Sequence, residues 1–223
     1  MILAIDTSTQ WVGIALLDEN QIIYEKIWKT QRRHTVELSP AIQSALQDTN
    51  HFPSDLSAVA AAIGPGSFTS LRIGLALAKG FALSLHIPII GIPSLEITAA
   101  GVPALNRDLF CLLRAGRGRF AFQKFQTKEG VWHISGQPGI TTAQELEQSI
   151  TNPTTVVGDF DTDEKKILMR KWRNISLLPP SLNTRRPAIL AELAQKRFEK
   201  NDFDDPATIA PIYLRTVKNI DTN

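Results

Sequence analysis

"LSAVAAAIGPGSFTSLRIGLALAKG", Leu56 to Gly80, decides how the rest of the chain is read. Up to Gly64 it is a continuous apolar run, the pattern of a parallel strand buried on both faces. Gly64-Pro65-Gly66 then turns the chain tightly, with Ser67 or Thr69 as a helix N-cap. In the helix that follows, at about 100° per residue, Gly74, Ala78 and Ala82 form one row of small side chains, which lets another helix pack closely. Leu71, Leu75 and Phe81 are bulky, Ile73, Leu77 and Leu83 leave little polar face, and the two charges, Arg72 and Lys79, share a stripe. A helix apolar on nearly all sides is buried on nearly all sides. One side meets a sheet; the other meets either the helix at 34–49 or another chain. The loop itself fits no common phosphate pattern. No Lys-Ser or Lys-Thr follows its glycines, and Thr69 stands where G-x-G-x-x-G needs its third glycine.

Outward from this stretch, "ILAIDTS", "WVGIALLD" and "QIIYEKIWK" read as three short strands, with a tight turn at 18–20. "HTVELSPAIQSALQDT" has Leu38, Ile42, Ala45 and Leu46 at helical spacing, with Pro40 near its first turn. After the central helix come a buried strand, "IPIIGIP", and a helix capped by Ser94. The order β-β-β-α-β-α-β-α predicts a mixed sheet, antiparallel at one edge and parallel beyond, covered by helices. The composition shifts at 102–106, which predicts an N-terminal lobe over 1–102 and a smaller, divergent lobe over 103–223, whose last segment is free to pack back on the first. In that second half, "LFCLLRAGRGRFAFQKFQT" is a hairpin and "GVWHIS" a strand. "TTAQELEQSI" is a helix with Thr142 and Glu145 in capping-box spacing. "TTVVGDF" is a strand, "DEKKILMRKW" is helical, "RPAILAELAQKRFEK" is an amphipathic helix, and "DDPATIAPIYLR" is extended. Strands first and then α/β, it echoes the first half in reduced form.

The 223 residues, 43% hydrophobic and 21% charged, are ordinary for a globular protein, and a net charge of +2 does not argue for a nucleic-acid binder. The charge is uneven: residues 1–100 hold 6 Lys and Arg against 8 Asp and Glu, and the rest hold 18 against 14. Cys111 is the only cysteine, which excludes an intramolecular disulfide and fits a reducing cytoplasm. The N-terminus lacks a basic n-region and meets Asp6 after a short apolar run. The most membrane-like window, 73–92, contains Lys79, His86 and Pro88 and reads as helix followed by strand, so no membrane partner is expected.

Three places offer chemistry. Asp6, Thr7, Ser8 and Thr9 follow a buried strand, and a hydroxyl-rich turn of this kind either directs N–H and O–H groups at a phosphate, with the carboxylate on a metal or water, or is a plain turn of good turn formers. Arg114, Arg117 and Arg119 surround two glycines, with Phe120 and Phe122 following. That pattern serves RNA contact or guards an edge strand with charge. His34, His51, His86 and His133 form no i, i+4 pair, so no metal site is expected, and no nucleophile elbow is present.

Three segments together, "ILAIDTSTQWVGIAL", "HTVELSPAIQSAL" and "IGPGSFTSLRIGLALAKGFA", resemble the TsaB family, formerly called YeaZ, and "APIYLR" resembles that family's C-terminus. The likeness covers residues 1–100 closely and the remainder loosely. It implies an actin-like/Hsp70-type ATPase (ASKHA) fold of two lobes, each with a mixed sheet flanked by helices. It also implies a role in making threonylcarbamoyladenosine on tRNA, next to the anticodon. There TsaD is the transferase, TsaB its non-catalytic partner, and the ATPase TsaE joins the assembly. TsaD-like proteins hold a metal with two histidines on the first helix; here His34 stands alone, with Leu38 in the second place. "VVGDFD" also lacks the late glycine pair that would seat a nucleotide. The resemblance therefore implies an accessory cytoplasmic subunit without catalytic or metal-binding residues. Its interface would lie on the 34–49 and 67–85 helices, at His34, Leu38, Leu71, Arg72, Gly74, Leu75, Ala78, Lys79 and Ala82. A homodimer would form when TsaD is absent, and tRNA would be met indirectly. No cofactor is expected in the isolated chain, with ATP or ADP at the subunit boundary left open. An autonomous ATPase or kinase-like enzyme and a tRNA-binding module are the alternatives. One departure stands out: where the family carries an acidic strand entry like Asp-Ala-Arg-Arg-Gly-Glu, this chain has "RAGRGR", with Arg114 and Arg119 reversing the charge.

Overall fold

A computed structural model describes residues 1–31 and 33–214. The chain begins with β1 (Ile2–Asp6), β2 (Trp11–Asp18) and β3 (Gln21–Lys29), then α1 (His34–Asp48), β4 (Ala58–Ala62), α2 (Phe68–Leu85), β5 (Ile89–Ile92) and α3 (Ser94–Ala100). These strands form one sheet in the order β3-β2-β1-β4-β5. The β1-β2-β3 meander is antiparallel, while β4 and β5 run parallel to β1, with Ala4 opposite both Ala15 and Ala60. Every residue of β1 and β4 is buried, because both faces of the sheet are covered. On one face, Leu3, Ile5, Val12, Ile14 and Val59 pack with Leu38, Ile42 and Leu46 of α1 and Leu75, Ala78 and Ala82 of α2.

The other face is covered from far along the chain. α7 (Pro187–Phe198) sets Leu190, Ala191 and Ala194 against Ile2, Ala4, Ala15, Leu17, Ala58, Ala60 and Ile90. The first compact unit is therefore Met1–Ile97 plus Arg185–Ile212, and the second takes up the chain from Thr98 to Thr184. These bounds differ from a division at residue 102 because the apolar stripe of α7 belongs to the first sheet's bare face. Beyond α7 the chain turns at 199–201 and again at 206–208, and the Ile212 N–H donates to the Ile63 carbonyl at 2.7 Å. Arg215, the last residue of "APIYLR", lies outside the described residues.

The second unit contains β6 (Asp108–Gly116), β7 (Arg119–Lys128), β8 (Val131–Ile134), β9 (Gly139–Thr141), α4 (Ala143–Ser149), β10 (Thr154–Gly158), α5 (Thr162–Leu168), β11 (Ile175–Leu177) and α6 (Pro180–Asn183). Its sheet runs β11-β10-β6-β7-β8, with β9 on β7. β6 and β7 are an antiparallel hairpin, while β10 runs parallel to both β6 and β11, so this sheet too is mixed. Leu112, Phe120, Val156 and Ile175 of the strands pack with Leu146 of α4 and Leu168 of α5. Thr142 caps α4, accepting from the Glu145 N–H while the Glu145 carboxylate accepts from the Thr142 N–H. Cys111 is fully buried, and burial pushes its thiol well above the usual range.

Two local expectations shift. Pro40 lies inside α1 rather than in its first turn; it and Val36, four residues before it, are exposed, so solvent is at hand for the carbonyl left without a donor. Ser94 opens α3, and its hydroxyl accepts from the Gly64 N–H at 3.1 Å and bonds the Ser8 hydroxyl at 2.5 Å.

Candidate functional site

α2 runs for 18 residues and divides into two faces. Leu71, Gly74, Leu75, Ala78 and Ala82 are buried in the chain's own first unit. At Gly74 the helix crosses the Asp6–Thr9 turn so closely that a Cβ would overlap the Thr7 hydroxyl and lie 3.0 Å from its Cγ2. Thr7 is itself pinned there, its hydroxyl donating to the Ser70 carbonyl at 2.7 Å. The small-residue row thus serves packing within the chain and is not open to a partner. Leu38 belongs to the same core, and His34 is 4% exposed with Nε2 3.4 Å from the Thr9 carbonyl oxygen. Of the nine residues expected on a partner face, only Arg72 and, in part, Lys79 reach solvent.

Turned about the helix axis from that row lies a second one. Phe68, Ala76, Gly80 and Leu83 are exposed, with Ile73 and Leu77 half-buried. Phe68 is 51% and Leu83 64% exposed, large values for such side chains. A Cβ at Gly80 would meet nothing within 4 Å. The Arg72 guanidinium lies over the Phe68 ring at 3.7 Å, so this charge covers apolar surface. Beside α2, a groove of about 670 Å³ runs along α1, lined by Ile42, Leu46, Phe52, Pro53 and Phe81 among others. By length and composition alone, α2 is also the one helix among the described residues able to cross a membrane. Its buried row against the sheet marks it as a core helix with one uncovered side. Periodicity showed that this helix lacks a polar face; it carried no signal for which apolar row faces inward.

The Asp6–Thr9 turn is closed on all sides. Asp6, Thr7, Ser8 and Thr9 are all buried. Asp6 accepts the Ser8 N–H at 2.8 Å with one carboxylate oxygen. The other accepts Arg185 Nε at 2.9 Å, and Arg185 Nη2 donates to the Thr9 hydroxyl at 3.0 Å. Both charged side chains are nearly sealed, at 3% and 6% exposure. The Gly-Pro-Gly loop presses on the same turn: the Ser67 N–H donates to the Ser8 carbonyl at 2.7 Å, and a Cβ on Gly66 would overlap that carbonyl oxygen. A carboxylate and hydroxyls that could hold a metal or a phosphate hold the chain's own guanidinium instead. Arg185 is the residue that sequence reading missed, since nothing local links position 185 to position 6. No group of three or more potential metal ligands occurs among the described residues.

The hairpin arginines separate. Arg114 binds Glu164 through both terminal guanidinium nitrogens, at 2.9 and 2.5 Å, with Asp161 at 3.5 Å. Burial works against its charge, but the hydrogen bonds and charge of Glu164, with Asp159 and Asp161, hold the guanidinium above its usual value. Arg117 sits exposed in the tight turn with φ 54°, and Arg119 begins β7. So Arg114 ties the hairpin to α5 and does not join the other two in one basic surface.

Residues 23–159, more than half of the chain, match the family described as "TsaD: tRNA N6-adenosine threonylcarbamoyltransferase". Among relatives, the "tRNA threonylcarbamoyladenosine biosynthesis protein TsaB" of Bacillus subtilis is 43% identical over 130 residues, 58% of this chain and 57% of that protein. The protein of the same name from Escherichia coli is 33% identical over 135 residues, 59% of this chain and 58% of that one. The chain thus matches little more than half the length of these two relatives. Among solved structures, YeaZ from Pseudomonas aeruginosa superposes with a TM-score of 0.75 at 21% identity, covering 96% of this chain and 99% of that one. The ethanolamine utilization protein EutJ from Carboxydothermus hydrogenoformans superposes with a TM-score of 0.50 at 12% identity, covering 85% and 88%. These likenesses bear out the actin-like ATPase (ASKHA) fold that the family resemblance implies, with a mixed sheet flanked by helices in each unit. The chain belongs to the TsaD family that this match describes, and within it to the TsaB (YeaZ) proteins.

Proposed function

We propose that this chain is an accessory, non-catalytic subunit in the formation of threonylcarbamoyladenosine on tRNA, which binds and activates a TsaD-type transferase through the outward row of α2 together with α1. One observation carries the reading: after the inward row has been satisfied inside the chain, Phe68, Ala76, Gly80 and Leu83 stay exposed on the outward face beside Arg72, with Ile73 and Leu77 half-buried. Small residues at Ala76 and Gly80 would let a partner helix approach closely, with Phe68 and Leu83 as anchors at either end. A TsaD-type protein, a relative with corresponding helices, is the partner proposed, with a homodimer through the same row when it is absent. A TsaE-type ATPase would join through that complex, and tRNA modification would take place in the cytoplasm.

The buried Asp6–Arg185 pair supports an accessory role. A nucleotide phosphate or its metal would have to displace a sealed, hydrogen-bonded guanidinium. In calorimetry with Mg-ATP the isolated chain should give no binding heat; tight binding with turnover would favour an autonomous ATPase. Any ATP or ADP is proposed to sit at the boundary with the transferase. The direct test is Ala76→Arg and Leu83→Glu, each assayed for co-purification with the TsaD-type protein. Both should lose the partner while keeping a wild-type melting curve. Unchanged co-purification by both would sink the interface assignment.

A further inference from the structure

We infer that the turn following α5 is a contact for single-stranded RNA, made by Trp172 with Arg170, Arg173 and Lys165. The inference goes beyond the partner-binding role and uses residues of the second unit alone, so the two fail separately.

α5 ends at Leu168, the chain tightens into a 3-10 turn at Met169–Lys171, and β11 follows as the edge strand of the second sheet. This short stretch contains Lys165, Lys166, Arg170, Lys171 and Arg173. The acidic groups nearby are engaged elsewhere: Glu164 and Asp161 face Arg114, and Asp163 pairs with Lys166 at 3.0 Å. Lys165, Arg170, Lys171 and Arg173 make no ion pair with a carboxylate among the described residues. Lys171 is occupied structurally, its Nζ donating to the carbonyls of Gln148 and Ile150 at the end of α4.

Among these cations two apolar side chains stand outward, Met169 at 44% and Trp172 at 64% exposure. The Arg173 guanidinium lies 5.2 Å from the Trp172 ring centroid. An exposed indole flanked by uncompensated cations matches the two demands of an unpaired strand, a platform for a base and positive charge for its phosphates. A duplex keeps its bases stacked and would leave the ring unused. An anionic membrane would need a broad apolar face, yet α5 has seven residues, its Leu168 is buried, and only Met169 and Trp172 project.

The test uses the full chain and a fluorescein-labelled single-stranded RNA of roughly 12 nucleotides, within the usual site sizes. Anisotropy is read across a salt series. Three phosphate contacts predict a slope of log K against log salt of about −2, and Arg170→Ala with Arg173→Ala should flatten it by roughly 1.4. Trp172→Ala should weaken binding about tenfold while leaving the slope unchanged. All variants should melt as the parent does, and Lys171 is left intact because it holds α4. Absence of RNA binding by the parent, or equal binding by the triple variant Arg170→Ala/Trp172→Ala/Arg173→Ala, overturns the inference. So does a parent that binds phosphatidylserine vesicles in preference to the RNA and loses them on the same substitutions.

Discussion

Gly74 and Gly80 stand on the same helix and meet opposite surroundings. Six positions turn an α-helix by roughly 240°, so the two point to different sides. A side chain at Gly74 would run into Thr7, whereas one at Gly80 would enter open space. Around Gly74 the neighbours Leu71, Leu75, Ala78 and Ala82 are buried, and around Gly80 the neighbours Ala76 and Leu83 are exposed. A small residue on an apolar helix thus has two distinct settings. On the inward side it admits the turn after β1; on the outward side it borders open space, where the proposed partner helix would pack.

That contrast can be broken by substitution, and the largest effect belongs to the inward row. Ala78→Arg places an unpaired charge where exposure is 0%, and should cost at least about 4 kcal/mol in urea unfolding. It therefore cannot serve as a clean interface variant, and a stably folded Ala78→Arg protein would refute the assignment of this row to the core. Next comes the turn beneath the helix. Arg185→Ala leaves the Asp6 carboxylate buried without its cation and should cost about 3–5 kcal/mol, measured in the same way. A loss under 1 kcal/mol would mean that water reaches Asp6 easily. Gly74→Ala should cost about 1–3 kcal/mol, because Thr7 is held by Ser70 and cannot move aside.

The smallest effect has the opposite sign. Gly80→Ala adds a methyl group to open space and removes a flexible residue from a helix interior, so it should stabilise the isolated chain by about 0.5–1 kcal/mol. Thermal melts of Gly74→Ala and Gly80→Ala side by side give the sharpest reading of the comparison. Two shifts of the same sign would contradict the division of α2 into an inward and an outward face.

Much of the frame is legible in the sequence. The apolar runs of β1 and β4, the turn after β2, the helical spacing in α1 and the Thr142–Glu145 cap are local patterns, and local patterns survive in sequence. The site was less legible. The row Gly74, Ala78 and Ala82 is a close-packing surface, but it is spent inside the chain, Gly74 on the turn after β1 and Ala78 and Ala82 in the core with the sheet and α1. Arg114 stands in a basic cluster by sequence, yet Glu164, far along the chain, takes it. Arg185 carried no signal, because its meaning depends on Asp6 at the other end of the first unit.

Local pattern settles the elements of the first sheet, the family resemblance and the scarcity of charge on α2, but not β9, β11 or α6 of the second unit. Which side of α2 is spent, what cation sits on Asp6 and the return of α7 over the first sheet emerge only in the folded chain. The physical reason is the range of the forces involved. Periodicity, capping and turn preference act between residues a few positions apart. Burial and charge pairing are settled between residues brought together by the whole chain, and for those the sequence supplies candidates of equal standing until the fold selects among them.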